Sequence, residues 1–114
     1  MQKVYSMLGF AQKAGKISTG TLATKSSLIG RKAYLLLMSN DIADNSKEIL
    51  VKTCEKFNIP WITLGDKYEL GTSVGKAYRV AVTINDKKMA TAIIGSLHET
   101  GDNKETMGVV QWPK

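Results

Sequence analysis

The run Ala33-Tyr34-Leu35-Leu36-Leu37-Met38 constrains this chain more than any other feature. It follows Gly30, Arg31 and Lys32 and is closed by Ser39, Asn40 and Asp41. Successive side chains of a strand point to opposite faces, so a continuous apolar strand is one buried on both sides. Six residues suit a strand better than a helix, and they are far too few to cross a bilayer. Everything else in the chain must therefore supply partners for a two-sided central strand.

The flanking periodicities do so. Val4, Leu8 and Ala11, with Met7 and Ala14 beside them, form a helical stripe that ends before Gly15. A short extended piece follows around Ile17. Ser18 or Thr19 can cap a second helix that begins near Gly20, turns Leu22 and Ile29 inward and stops at Gly30. Beyond the central strand, Asn45 and Glu48 have capping-box spacing and open a third helix with Ile49, Leu50, Thr53, Cys54 and Phe57 inward. Asn58 suits a left-handed cap. Strands are expected at Trp61–Leu64 and Arg79–Ile84, a fourth helix carries Leu70 and Val74, and a last one carries Met89, Ile93 and Leu97. Helices alternating with short buried strands imply an α/β fold: a three-layer α/β/α sandwich around a mixed sheet of about four strands. One domain over residues 1–98 is expected. A polar, partly irregular tail then covers 99–114, docked by Val109, Val110 and Trp112. The loops leaving the strands are the natural place for function.

Charge is unevenly spread. The 114 residues carry a net charge of +6, yet residues 1–40 contain six Lys or Arg and no acidic side chain, while residues 41–114 balance ten against ten. A localised positive excess suits a polyanion, because each neutralised phosphate releases counterions. Many basic domains bind nothing anionic, so charge alone puts nucleic acid only slightly ahead. No secretion signal or membrane span is legible, and a lone cysteine, Cys54, suits a reducing compartment; a cytoplasmic protein is expected.

Catalytic chemistry is poorly supplied. Cys54 sits in a helical stripe and reads as a small core residue. His98, the single histidine, suits a helix C-terminus. One Cys and one His do not approach metal-ligand spacing, so neither metal nor cofactor is expected. Gly71-Thr72-Ser73-Val74-Gly75-Lys76 fails as a phosphate loop: the glycines are one residue too close, and Ala77 stands where a magnesium-binding hydroxyl belongs. Asp41 and Asp44, beside Asn40 and Asn45, could serve a small enzyme at a strand end, but they more simply end a strand and cap a helix.

Leu8-Gly9-Phe10-Ala11-Gln12-Lys13-Ala14-Gly15-Lys16 followed by Ser18-Thr19-Gly20 resembles the N-terminal signature of the kink-turn-binding ribosomal protein family, in its bacterial YlxQ-like branch. Leu35–Met38 running into Ser39–Asn45, then Cys54–Pro60, Tyr68–Gly71, Val74–Lys76 and Arg79-Val80 agree in order and spacing, so the resemblance covers about residues 4–98. It implies the same sandwich fold and non-catalytic binding of sharply bent RNA, ribosomal RNA above all. It also implies a cytoplasmic ribonucleoprotein setting, possible protein partners and no small-molecule substrate. In the family a Gly, an Asn-Glu pair and a Lys at the start of the second helix meet the RNA, with a loop before the last strand packed on unpaired nucleotides. Backbone N–H groups at a helix start suit phosphate, and apolar loop atoms suit exposed bases.

Carried onto this chain, the match is incomplete. Gly20 is present, but Leu22 and Ala23 stand at the Asn-Glu positions and Ser26 at the Lys position, with Lys25 one place early. Lys76, Ala77, Tyr78 and Arg79 replace a mostly apolar loop. The RNA-facing edge implied is Gln12, Lys16, Gly20, Thr21 and Lys25 with Lys76, Tyr78 and Arg79. The plainer alternative makes Gly20 a helix start and the lysines a solvated face. Phosphate contacts set register while base contacts specify, so affinity for RNA with relaxed kink-turn preference is expected. A protein-binding adaptor on the same fold is the second reading, and it requires Leu22 and Ala23 to be exposed.

Overall fold

The computed structural model describes the backbone of residues 2–100 and the side chains of 3–97. Leu35–Met38 forms β2, and every one of its residues is buried. Leu35 and Leu37 enter one apolar cluster, Leu36 and Met38 the other. Around it lie α1 (Gln2–Lys13), β1 (Ile17–Thr19), α2 (Thr21–Ile29), α3 (Asp44–Phe57), β3 (Trp61–Thr63), α4 (Lys67–Ser73), β4 (Ala81–Ile84) and α5 (Lys87–Thr100). The sheet order is β1-β4-β2-β3. β4 runs antiparallel between β1 and β2, pairing Thr19 with Val82 and Met38 with Ala81, and β3 is parallel to β2.

Helices α1, α4 and α5 cover one face through Val4, Leu8, Leu70, Val74, Ile93 and Leu97. Helices α2 and α3 cover the other through Leu28, Leu50 and Cys54. This is the three-layer α/β/α sandwich with a four-stranded mixed sheet that the sequence implies. β1, β2 and β3 share one direction. The molecule thus has a carboxyl end, where these three strands finish and β4 begins, and an amino end, where they begin and β4 finishes.

Several local expectations are corrected. Leu22 and Ile29 do not face inward: they are 83% and 53% exposed, and Thr24, Ser27 and Leu28 are buried instead. The reason is a polar floor. The Ser18 and Ser27 hydroxyls are 2.7 Å apart, Asn85 Nδ2 donates to Ser18 Oγ, and Thr83 Oγ1 donates to Asn85 Oδ1. Buried hydroxyls need partners, so the side of α2 that can bond to this floor is the side that is buried. Ser18 and Thr19 belong to β1 rather than capping α2, whose N-cap is Gly20 with no side-chain bond. Asn45 and Glu48 form no capping box, because α3 starts earlier, after Ala43. Ile49 lies at the rim, 42% exposed. The capping box is at α4: Asp66 Oδ1 accepts from the N–H groups of Tyr68 and Glu69, and Glu69 Oε1 accepts from Asp66 N–H. Gly30 and the left-handed Asn58 end their helices as expected. The His98 side chain and the tail beyond Thr100, including the docking expected of Val109, Val110 and Trp112, lie outside the described residues.

Burial pushes the Cys54 thiol from 9.0 up to about 12, with the Glu55 carboxylate adding to the shift. The folded state therefore holds its thiol proton in a range where the unfolded chain releases it. The stability this contributes is complete below pH 9 and is lost as pH rises toward 12. In urea titrations, Cys54→Ala is expected to flatten the decline in stability above pH 9 relative to the parent. Native Cys54 is expected to resist alkylation until the chain unfolds.

Candidate nucleic-acid interface

At the carboxyl end, the chain leaves β1 through Gly20, with φ of 94° and ψ of 154°. That conformation is essentially closed to residues with a Cβ. Gly20 N–H donates to Ala81 C=O and its C=O accepts from Thr24 N–H, so α2 begins against the first residue of β4. No side chain caps this helix start, and its first turn has no acidic residue. The leading N–H groups of α2 are thus available to an anion. Thr21 and Lys25 are exposed one turn apart.

The segment before β4 is fastened from both sides. Lys76 N–H donates to Gly71 C=O, and Arg79 N–H donates to Lys67 C=O. Arg79 Nε donates to Thr19 Oγ1 at 3.3 Å, and its Nη1 donates to Tyr78 C=O at 2.7 Å. The guanidinium so ties the segment to the strand that precedes Gly20. Gly71 makes the close approach possible: a Cβ there would collide with Tyr78 Cα and lie 2.6 Å from Tyr78 C and 2.8 Å from Arg79 N.

The Tyr78 ring, 55% exposed, meets the Tyr68 ring edge-on at 6.4 Å between centroids. Lys67 Nζ lies 5.4 Å from the Tyr68 centroid and 5.8 Å from that of Tyr78. With the two rings set at 74°, Tyr68 braces Tyr78 edge-on, and an exposed tyrosine face beside the shared ammonium can take an unpaired base next to a phosphate. Sequence reasoning gave no role to Lys67 or Tyr68. The available signal was Gly71, three residues after Tyr68 on the same helical face, which leaves space for a second aromatic to come alongside.

Gly20, Thr21, Lys25, Lys76, Tyr78 and Arg79 therefore share one end of the molecule. Gln12 and Lys16 do not join them. Lys16 precedes β1 while Gly20 follows it, about 13 Å along the strand. Gln12 lies in the last turn of α1, which leads to Lys16. Asp41 caps neither α2 nor α3; its carboxylate accepts from Lys67 N–H, the first residue of α4. Asp44 is exposed in the first turn of α3. Among the described residues no group of three or more His, Cys, Asp or Glu is placed to hold a metal ion, and no helix is long and apolar enough to cross a membrane.

Comparison with known proteins decides the family. The profile of the Ribosomal protein L7Ae/L30e/S12e/Gadd45 family matches residues 2–94. The chain belongs to this family. It is 27% identical over 93 residues to the RNA-binding protein YlxQ of Bacillus subtilis, covering 82% of this chain and 93% of that one. It is 30% identical over 88 residues to the large ribosomal subunit protein eL8 of Thermoplasma volcanium, covering 75% of this chain and 71% of that one. A Bacillus halodurans protein of unknown function shares the fold with a TM-score of 0.82 at 24% identity, over 86% of this chain and 99% of that one. The Giardia lamblia 15.5kD RNA binding protein does so at 0.71 and 18%, over 86% and 87%. The family is one of ribosomal and RNA-binding proteins rather than enzymes, in keeping with the poor supply of catalytic groups.

Gly71→Ala sets a methyl group against backbone that cannot yield. It is expected to lower stability by about 1–3 kcal/mol in urea denaturation and to loosen the Tyr68–Tyr78 contact.

Proposed function

We propose that this protein is a non-catalytic RNA-binding protein that grips sharply bent, kink-turn-like RNA at the carboxyl end of its sheet, in a cytoplasmic, ribosome-associated role. The observation that carries this reading is the joining of an uncapped helix start to an aromatic, cationic segment by the Arg79–Thr19 hydrogen bond. The N–H groups after Gly20 face phosphate, Tyr78 stacks on an unpaired base with Tyr68 braced edge-on against it, and Lys25, Lys67, Lys76 and Arg79 neutralise the backbone. The YlxQ and eL8 relatives support the assignment by their names. With Leu22 and Ala23 at the positions where the family carries Asn and Glu, base edges are read less and RNA shape more.

A second reading has one specific observation in its favour. Leu22 and Ala23 stand exposed at the start of α2, with Ile29 exposed farther along, the apolar surface that a protein-binding adaptor on this fold would use.

Titration against three RNAs of equal length separates the two: an intact kink-turn, the same RNA with its sheared pairs replaced, and a plain duplex, each at two salt concentrations. Preference for the intact kink-turn is expected, with Tyr78→Ala losing about 1–3 kcal/mol. Equal, steeply salt-dependent binding to all three would contradict bent-RNA recognition. Failure to bind any of them at low salt would transfer the assignment to the adaptor reading.

A further inference from the structure

The basic excess of the first forty residues does not gather at the carboxyl end. Lys16 before β1, Arg31 and Lys32 before β2, Lys56 before β3, and Lys87 and Lys88 after β4 all lie at the amino end, and all are exposed. The strand order puts these loops side by side along one end of the sheet. Among the described residues, the nearby carboxylates are Glu55 and Asp86, whose Oδ2 accepts from Met89 N–H at the start of α5, so six cations face two anions. The carboxyl end, by contrast, mixes its cations with Asp41, Asp44, Asp66 and Glu69.

Helix stability accounts for only part of this row. Lys56 lies in the last turn of α3, and Arg31 and Lys32 directly follow the Gly30 C-cap of α2, positions where a cation is favoured. Lys87 and Lys88 open α5, whose first turn contains no acid, and there the helix dipole disfavours them. Two cations in an unfavourable position, added to a row that already repels itself, cost stability. A polyanionic partner removes that cost.

The row is also shaped. Between the ends of α2 and α3 opens a cleft of about 360 Å³, lined by Arg31, Tyr34, Lys56, Phe57, Asn58 and Pro60 among others. The Arg31 guanidinium and the Lys56 ammonium each lie 5.6 Å from the centre of the Phe57 ring. Tyr34 is 39% exposed at the mouth. Among the described residues, none that lines this cleft is acidic. Cations beside aromatic faces are the combination that holds a nucleobase by stacking and its phosphate by charge.

We propose that the amino end of the sheet is a second RNA-binding surface, which takes an unpaired single strand: one nucleotide seats in the Arg31–Tyr34–Lys56–Phe57 cleft and its neighbours run along Lys32, Lys87, Lys88 and Lys16. The inference rests on RNA being the ligand of this chain and is independent of kink-turn recognition at the opposite end.

The test is a double dissociation by fluorescence anisotropy on the full chain, with a single-stranded RNA of about ten nucleotides and, separately, a kink-turn hairpin. Arg31 has a left-handed backbone, φ 59°, so Arg31→Asn removes its charge with a residue that tolerates that conformation. Arg31→Asn combined with Lys56→Gln is expected to weaken strand binding about tenfold or more. It should also reduce the salt slope by about 0.7 for each cation lost. Tyr34→Ala weakens the strand to a similar degree, and Tyr34→Phe restores it. Lys87→Gln with Lys88→Gln lowers strand affinity while raising the melting temperature, which a structural role for these lysines would not do. All these variants keep the parent's affinity for the kink-turn hairpin, and Tyr78→Ala shows the reverse pattern. Unchanged strand binding in the amino-end variants overturns the proposal, as does binding of polyglutamate that matches the RNA strand in affinity and in response to Tyr34→Ala. Loss of the hairpin interaction with retained strand binding would defeat the kink-turn reading and leave this one standing.

Discussion

Burial of β2 on both faces is the constraint on which the rest of the molecule depends. Leu35 and Leu37 need α1, α4 and α5 above them, and Leu36 and Met38 need α2 and α3 below. Once both faces are covered, the sheet offers a ligand only its two ends, where the loops emerge and the backbone is free of the ladder. Each end then acquires its character from what happens to precede or follow a strand there. The carboxyl end joins an uncapped helix start to a tyrosine-bearing segment, and the amino end collects cations and an aromatic cleft.

Helix α2 shows how the packing of a single element bears on function. Its underside is Thr24, Ser27 and Leu28 on a hydrogen-bonded floor of Ser18, Asn85 and Thr83. Thr24 Oγ1 satisfies itself by donating to Thr21 C=O. A polar floor fixes the rotation of the helix, because a different rotation would bury hydroxyls without partners. That rotation turns Leu22 outward beside the N-terminal amides. The apolar residues at the positions where the family carries Asn and Glu are therefore displayed at the surface rather than absorbed into the core.

Much of this fold was legible in the sequence because its strands are short, buried and separated by glycine, proline or asparagine. The Ala33–Met38 run, the Gly30 and Asn58 stops and the Arg79–Ile84 run sufficed to give the layers. The rotation of α2 was not legible: its pattern is weak, with Leu22 and Ile29 on one side and Leu28 on another, and the deciding contacts come from Asn85 and Thr83, far along the chain. Capping went astray for a similar reason. Asn45 and Glu48 have the right spacing, but the helix begins ahead of them, while Asp41 serves α4 from 26 residues away. The site was half legible. Gly20 and Arg79 could be paired through the family resemblance, but only the antiparallel pairing of β1 with β4 separates Lys16 from them.

The central claim is that ligands meet this sandwich at the ends of its sheet and not on its helical faces. Amide chemical-shift mapping of the isotopically labelled protein with a kink-turn hairpin tests it most directly. The account predicts shifts concentrated in residues 19–21 and 76–80, with Lys67 and Tyr68 beside them, and little change along the exposed sides of α3 and α5. Shifts centred on the later turns of α2 around Ser26 and Ile29, or spread along α3, would contradict it.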